Sequence, residues 1–411
     1  MTVIVSRRAY DNPQTLFAKQ ETWRGVRVLR VRSTGFGKGA KWRRALDCAS
    51  FTVSCCLRAL RLSRHDTVLA LTSPPLISLV GLCLAQLWRC RFYYWVMDLN
   101  PDEAIAAGWL QAGSRAAGIL EWASRLSLKN ADQVFALDRF MAERILQKAI
   151  PPERICILPP WSHDPEVQFD DEGRNRFRSA NGLANKFVVM YSGNHSPCHP
   201  LDMLIDAALR LAGQHDVVFC FIGGGSEFRR IRHLFVQDSD GRNSKTENWI
   251  SSNILCLPYQ PLDELSVSLS AADLHIVIHG NDFVGVVHPC KIYNILRLGI
   301  PLVYIGPDSG PIPDILTELN GHVLSASIRH GDVEGLLRRI EELRSCPRGR
   351  PPTSHAHFAS RFSKGNILSR FIAQLEGNLP TKSGIEPEAQ RGNGLRAKHR
   401  EETVLVKKRL R

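Results

Sequence analysis

Short β-branched, apolar runs alternate with helical segments along most of the chain, and that alternation confines it to parallel α/β sheets. Strands are expected over residues 2–5, 26–31, 67–71, 92–97, 133–136 and 155–158, with helices over 42–62, 75–88, 116–128 and 139–148 between them. A polar stretch with Pro, Gly and Asn follows and reads as a linker over 161–185. The series then restarts, with strands at 187–191, 217–222, 254–257, 274–278, 301–305 and 322–324. Helices at 201–212, 226–236, 263–271, 291–298 and 332–343 alternate with them. The chain has 411 residues, enough for two cores. The expected organisation is two doubly wound domains over 1–160 and 186–360, a closing helix at 361–376, and a basic, disordered tail over 377–411. Ile119, Trp122, Leu126 and Leu128 recur at helical spacing and are expected to form a buried face. Asp138 is placed to cap the next helix.

The charge is uneven. Residues 1–45 hold 11 Lys/Arg against 2 Asp/Glu, and residues 377–411 hold 9 against 4, within a net charge of +13. Such ends suit an anionic membrane surface or phosphorylated substrates, or are simply solvated. Nucleic acid is not expected as a partner, because no reading motif accompanies the charge. The first residues contain no apolar core of a signal peptide, and the longest apolar stretch, 76–88, is shorter than the ~20 residues that span a bilayer. It reads as a buried helix, with shallow membrane contact as the other reading. The 11 cysteines show no zinc spacing, and Cys55, Cys56, Cys83, Cys220 and Cys256 lie in apolar runs. Free buried thiols, no metal, and a cytoplasmic location peripheral to the membrane's inner face are expected.

Four places stand at the carboxyl ends of expected strands, where open parallel sheets bind ligands. Tyr191-Ser-Gly-Asn-His-Ser-Pro-Cys-His199 offers Gly193 for close backbone approach and two histidines; its alternative is a plain turn. Phe221-Ile-Gly-Gly-Gly225 offers Gly223 and Gly224 as a phosphate or ribose contact. A loop carrying Asp282 leads through Pro289 to a helix that starts near Lys291, where a positive charge and free amides would meet an anion; the alternative is a surface lysine. Asp98 ends a strand in the first half and either acts in a cleft between the domains or caps the following helix.

Together WVMDLNPDEA, ADQVFALDRFMAERI, ILPPW, MYSGNHSPCH, FCFIGGG, LPYQPLDELSVSLSAADLHIVI and FVGVVHPCKIYNILRLGIPLVYIGP resemble the retaining glycosyltransferases of family 4, over roughly residues 1–375. The resemblance implies the GT-B fold of two Rossmann-like domains, and transfer of a sugar from a nucleotide-diphosphate sugar to a glycan or lipid-linked acceptor. It implies a catalytic Asp98 and a donor site of Gly193, Asn194, His199, Gly223, Gly224, Tyr259, His288, Lys291 and Asn294. The nucleobase would lie near Leu257-Pro-Tyr259-Gln260. No cofactor beyond the donor is implied. A nucleotide-sugar 2-epimerase and a degenerate, donor-binding partner protein are the competing readings.

The chain departs from the family at several points. The family's paired glutamates fall on Val286 and Asn294, its diphosphate-binding Arg and Lys on Asn194 and His199, and the His before Asp98 is Met97. The residues from Thr2 resemble the family's second strand, so the first domain is expected to lack its first, central strand and the Gly-rich loop after it.

Overall fold

The computed structural model describes residues 1–9, 14–37, 41–162, 167–236, 249–251, 253–319, 325–345 and 361–377. These divide into two units: Met1–Val96 with Trp122–Ile157, and Met97–Glu121 with the residues from Leu158 onward.

Unit 1 opens with β1 (Thr2–Ser6), β2 (Gln20–Trp23) and β3 (Val26–Val31), hydrogen-bonded in the order β1-β3-β2. Strands β2 and β3 form an antiparallel hairpin whose two-residue turn, Arg24-Gly25, has φ of 47° and 79°. Two positive φ angles match the twist of a hairpin, which is why glycine stands second. A helix α1 (Lys41–Ala59) packs on β1 and β3 and leads to β4 (Thr67–Ala70). Helix α2 (Ile77–Trp88) connects β4 to β5 (Arg91–Trp95), burying Ser78, Gly81, Leu82 and Ala85 as expected for a core-facing helix. Gly81 is needed there, since a Cβ would stand 3.0 Å from both Ala70 and Phe92.

Strands β6 (Gln133–Ala136) and β7 (Ile155–Ile157) extend a parallel sheet β4-β5-β6-β7. Unit 1 therefore holds two sheets where one was expected. Among the described residues β1 pairs only with β3, and β4 only with β5. The break falls where the family comparison expects the central strand. The five residues of β1 are only half-buried, and Leu69 of β4 is exposed. A contact from His65 Nε2 to Thr2 Oγ1, 3.4 Å, reaches from one sheet to the other.

Met97 begins a segment of unit 2, contrary to the expected boundary near residue 160, and holds the short helix α3 (Asp102–Ala106). Helix α4 (Arg115–Asn130) buries Leu128 as expected but not the rest of the expected face: Ile119 and Trp122 are exposed, Leu126 is half-buried, and Ala117, Ala123, Ser124 and Ser127 are buried instead. Close packing explains it, because Ser78 Oγ donates to Ser127 Oγ at 2.9 Å and larger side chains would hold the two helices apart. Helix α5 (Arg139–Gln147) is capped by Asp138, whose carboxylate accepts from Met141 N.

The expected linker contains a helix, α6 (Asp171–Ala180). Its arginines clamp it to unit 2. Arg174 and Arg178 pair with the buried Asp273 carboxylate at 2.5 and 3.2 Å, and that carboxylate also accepts from Val188 N at 2.8 Å. Asp273 thus ties α6 to the start of the central strand.

Unit 2's sheet runs β10 (Trp249–Ser251), β11 (Ile254–Leu257), β9 (Val217–Gly224), β8 (Phe187–Asn194), β12 (Leu274–Ile278), β13 (Leu302–Ile305) and β14 (Ser325–Ile328). All pairs are parallel except β10 with β11. The expected strand at 322–324 lies outside the described residues. Alternate residues serve opposite faces: Val189, Tyr191, Phe219 and Phe221 enter one core, and Val188, Met190, Val218 and Cys220 the other. Helices α7 (Asp202–Arg210), α8 (Ser226–Val236), α9 (Leu265–Ser270), α10 (Lys291–Leu298), α11 (Pro311–Glu318) and α12 (Val333–Ser345) connect the strands, and α13 (Lys364–Glu376) follows.

The chain leaves β8 toward β9 on one side and reaches β12 on the other. That reversal makes the carboxyl ends of β8 and β12 the crevice of the sheet. Cys55, Cys220 and Cys256 are buried free thiols, whereas Cys83 is exposed on α2.

Candidate active site

The next-to-last residue of β8 is Gly193, at φ +127°, and that of β9 is Gly223, at φ +139°. The two strands stay in register to their last residues, Gly193 opposite Gly223 and Asn194 opposite Gly224. A Cβ on Gly223 would collide with the Gly193 carbonyl oxygen, and one on Gly225 with the His195 carbonyl. The glycine run therefore lets two backbones close on each other. At Gly223, named above as a phosphate contact, the missing side chain makes room for the Gly193 carbonyl. Gly224 lies beneath the Tyr259 ring, whose Cε2 would stand 3.0 Å from a Cβ there, and Tyr259 Oη donates to the Gly224 carbonyl at 3.4 Å. The Tyr259 ring is otherwise exposed.

Lys291 opens α10 and sends its side chain back over β8. Nζ lies 3.5 Å from the centroid of the Tyr191 ring, and a Cβ on Gly193 would be 3.5 Å from it. The stem keeps partial access to solvent, but Nζ is enclosed and has no hydrogen-bond partner. It is not a surface lysine. Burial pushes its pKa well below the usual lysine range. A buried ammonium without an acceptor is costly unless a ligand completes it.

Two histidines surround it. His195 is fully buried, its Nδ1 donating to the Gly193 carbonyl at 2.8 Å, while Nε2 has no partner. His199 Nδ1 donates to the Ile278 carbonyl at 2.7 Å, which fixes the ring at the end of β12. Burial, then the charge of Lys291, lowers His195 to about 3, and the same causes hold His199 well below its ordinary value. Both imidazoles are held neutral at physiological pH, so Lys291 is the group here that an arriving anion would hold charged.

Asn194 stands beside Gly225, and its carbonyl accepts from Tyr191 Oη at 3.2 Å. Asn294 follows Lys291 by one helical turn and is half-buried. His288 hydrogen-bonds through Nε2 with Tyr293 Oη at 2.8 Å, with the rings stacked, so it braces the approach to α10. Val286 is fully buried, and its carbonyl accepts from Leu99 N at 2.8 Å. That bond fastens the Asp98 segment to the loop before α10. Asp98 does not cap α3, whose N-cap is Pro101, and burial raises its pKa above the usual carboxylate range.

Tyr191 and Tyr304 were not singled out in the sequence. Tyr304 Oη, at the end of β13, is buried without a partner. The readable signal was a tyrosine near the carboxyl end of each strand, in VVMYSG and LVYIG. A cleft of about 690 Å³ adjoins these loops, lined in part by Asp202, Asp206, Asp282 and His330. Its carboxylates make it unsuitable for an anion, and it contains none of the residues around Lys291.

Residues 1–161 match the Glycosyl transferase 4-like domain. The putative colanic acid biosynthesis glycosyl transferase WcaI of Escherichia coli (strain K12) is 25% identical over 343 residues, 82% of this chain and 80% of that one. The first 161 residues are thus a glycosyl transferase 4-like domain, and the chain is a glycosyltransferase. The probable glycosyltransferase WbjE of Pseudomonas aeruginosa is 22% identical over 283 residues, 69% of this chain and 67% of WbjE. Among solved structures, a sucrose-phosphate synthase from Thermosynechococcus elongatus superimposes with a TM-score of 0.67 at 14% identity, covering 92% of this chain and 89% of its own. Anabaena HepE in complex with UDP and glucose gives 0.62 at 16% identity, covering 86% and 87%. The fold of the chain is accordingly GT-B, with two Rossmann-like domains.

Proposed function

We propose that unit 2 of this glycosyltransferase binds a nucleotide-diphosphate sugar with its diphosphate against Lys291, Gly193 and the first turn of α10, and that the sugar passes with retention to a glycan or lipid-linked acceptor. The observation that carries this reading is the enclosed Nζ of Lys291 at the sheet's crevice, which has no hydrogen-bond partner. A diphosphate oxygen supplies the acceptor that the ammonium lacks, and the helix N-terminus adds its dipole. Gly193 leaves room at this point because it has no side chain. Tyr259, exposed over Gly224, offers an aromatic face to the nucleobase.

The chemistry asked of these groups is leaving-group stabilisation. As the bond from the anomeric carbon to the diphosphate breaks, charge develops on the diphosphate, where Lys291 and the α10 amides are already oriented. Asn294 contributes a hydrogen bond to the nucleotide, but no carboxylate stands at its position or at Val286. Asp98 accepts a hydrogen bond from a sugar hydroxyl. The ammonium and the helix dipole offset part of the diphosphate's negative charge.

UDP, the nucleotide bound to HepE, is the first probe. The test is incubation with a panel of UDP-sugars and a lipid-linked glycan acceptor, followed by assignment of the new anomeric linkage by NMR. A product that keeps the donor's anomeric configuration supports the reading. An inverted product overturns it.

A further inference from the structure

Helix α1 carries an apolar stripe on its outward face. Trp42, Leu46, Val53 and Leu57 are each about half exposed, from 47% to 59%, and Leu60, in the turn that continues the helix, is 63% exposed. At the helical advance of about 100° per residue these five side chains fall within roughly 60° of one another. They form a seam about five turns long. The face toward the sheet is separate and holds Cys55 and Ala59, both buried. The helix thus has two apolar faces, and only one has a partner in unit 1.

Charge singles out what covers the other. Residues 41–64 contain six Lys/Arg and a single acidic residue, Asp47. Asp47 does not offset them outward: its carboxylate accepts from Thr34 Oγ1 at 2.7 Å, Phe36 N at 3.1 Å and Gly37 N at 3.0 Å. Arg43 and Arg61 share one helical position bordering the stripe, and Arg44 and Arg58 follow farther round the same side. The Arg43 guanidinium lies 5.3 Å from the Trp42 ring centroid, and the exposed Phe36 ring is 6.3 Å from Trp42. An apolar seam with basic residues along its flank and an aromatic pair at one end suits the boundary between headgroups and acyl chains. Two copies meeting on this face would bring their arginines together.

We propose that α1 is a membrane-contact helix that lies in the surface of an anionic bilayer, with Trp42, Leu46, Val53, Leu57 and Leu60 in the interface and the arginines on lipid phosphates. This goes beyond the donor reading and uses none of its residues. It also moves the membrane contact away from the apolar 76–88 stretch, one face of which unit 1 buries through Ser78, Gly81, Leu82 and Ala85. No helix among the described residues is long and apolar enough to cross a membrane, so the contact is lateral.

The test is sedimentation of the full chain with vesicles of phosphatidylcholine alone or with 30% phosphatidylglycerol. Binding is expected only to the anionic vesicles and should weaken as salt rises. Trp42→Ser with Leu57→Ser should lower the partition coefficient at least tenfold, and Arg43→Gln with Arg61→Gln roughly tenfold or more, at about fivefold per arginine. All four side chains are replaced on the surface, so unchanged thermal melting and UDP titration report an intact fold. Equal binding to neutral and anionic vesicles, or undiminished binding by the Trp42/Leu57 variant, overturns the proposal. So does a wild-type dimer that the same variant dissolves while vesicles bind neither form, which would assign the seam to self-association.

Discussion

The ammonium of Lys291 rests 3.5 Å above the Tyr191 ring with no hydrogen-bond acceptor in reach, held there by the first turn of α10. Burial depresses its pKa, and an arriving anion reverses that shift. Diphosphate binding should therefore be accompanied by proton uptake at Lys291. Titration calorimetry of UDP in buffers of different ionisation enthalpy measures it. The apparent enthalpy should vary with buffer for the wild type and not for Lys291→Ala.

The buried histidines set an acid limit on unit 2. Burial lowers His195 to about 3 and His275, whose Nε2 meets the Leu269 carbonyl, to about 4. Their folded pKa values lie below the unfolded value near 6.5, so between those limits the unfolded chain binds more protons. Stability should rise with pH from about 4 to 6.5 and level off above it, by roughly 1 kcal/mol per pH unit for each histidine. Urea midpoints across that range are the check. A flat profile contradicts the burial of neutral histidines.

Gly223 allows two backbones to close beside the site. Gly223→Ala meets the Gly193 carbonyl and a φ of +139°, and should destabilise unit 2 by about 2–4 kcal/mol. Gly213→Ala, which enters open space, should stay within roughly 0.5 kcal/mol of the wild type. Denaturant melts of the pair separate a backbone collision from a general intolerance of alanine.

Asp273 holds two arginines of α6 and the first amide of the central strand's pairing edge. Asp273→Ala leaves Arg174 and Arg178 without their buried carboxylate and should cost about 3–5 kcal/mol. Differential scanning calorimetry should show the loss in the transition of unit 2. A surface-pair effect below about 1 kcal/mol would mean that α6 is a linker after all.

The regular elements were legible because buried parallel strands announce themselves: β3, β6, α8 and α10 have the expected bounds to the residue. The missed elements lacked that signal. Strand β2, QETW, is polar and exposed on every residue, and only the Arg24-Gly25 turn marked it. Helix α6, DEGRNRFRSA, hides its burial in arginine, so composition read as linker. Helix α4 misled through its large side chains, because small residues make the close contact.

At the site, Lys291, Gly193 and His199 were nameable from strand ends and helix starts, and Tyr259 only from the family resemblance. What hid was the use made of Gly223, since a glycine that admits a ligand and one that admits another backbone look alike in sequence. The ring of Tyr191 beneath the ammonium was equally hidden, because an inward tyrosine on a strand reads as core.

The split in unit 1 predicts unequal resistance. Strands β1 and β4 each leave one edge without a strand partner among the described residues, whereas unit 2 has a continuous seven-stranded sheet. Limited proteolysis should cut first within residues 1–157 and leave a fragment covering about 171–376 that UDP protects. Equal protection of both halves in one cooperative transition would contradict this.

The central claim is that the donor's diphosphate completes Lys291, and titration calorimetry of UDP against UMP tests it most directly. The account predicts that UDP binds the wild type more tightly than UMP, and that Lys291→Ala weakens UDP by about 1–3 kcal/mol while leaving UMP nearly unchanged. A folded Lys291→Ala protein that binds UDP with wild-type affinity would contradict it.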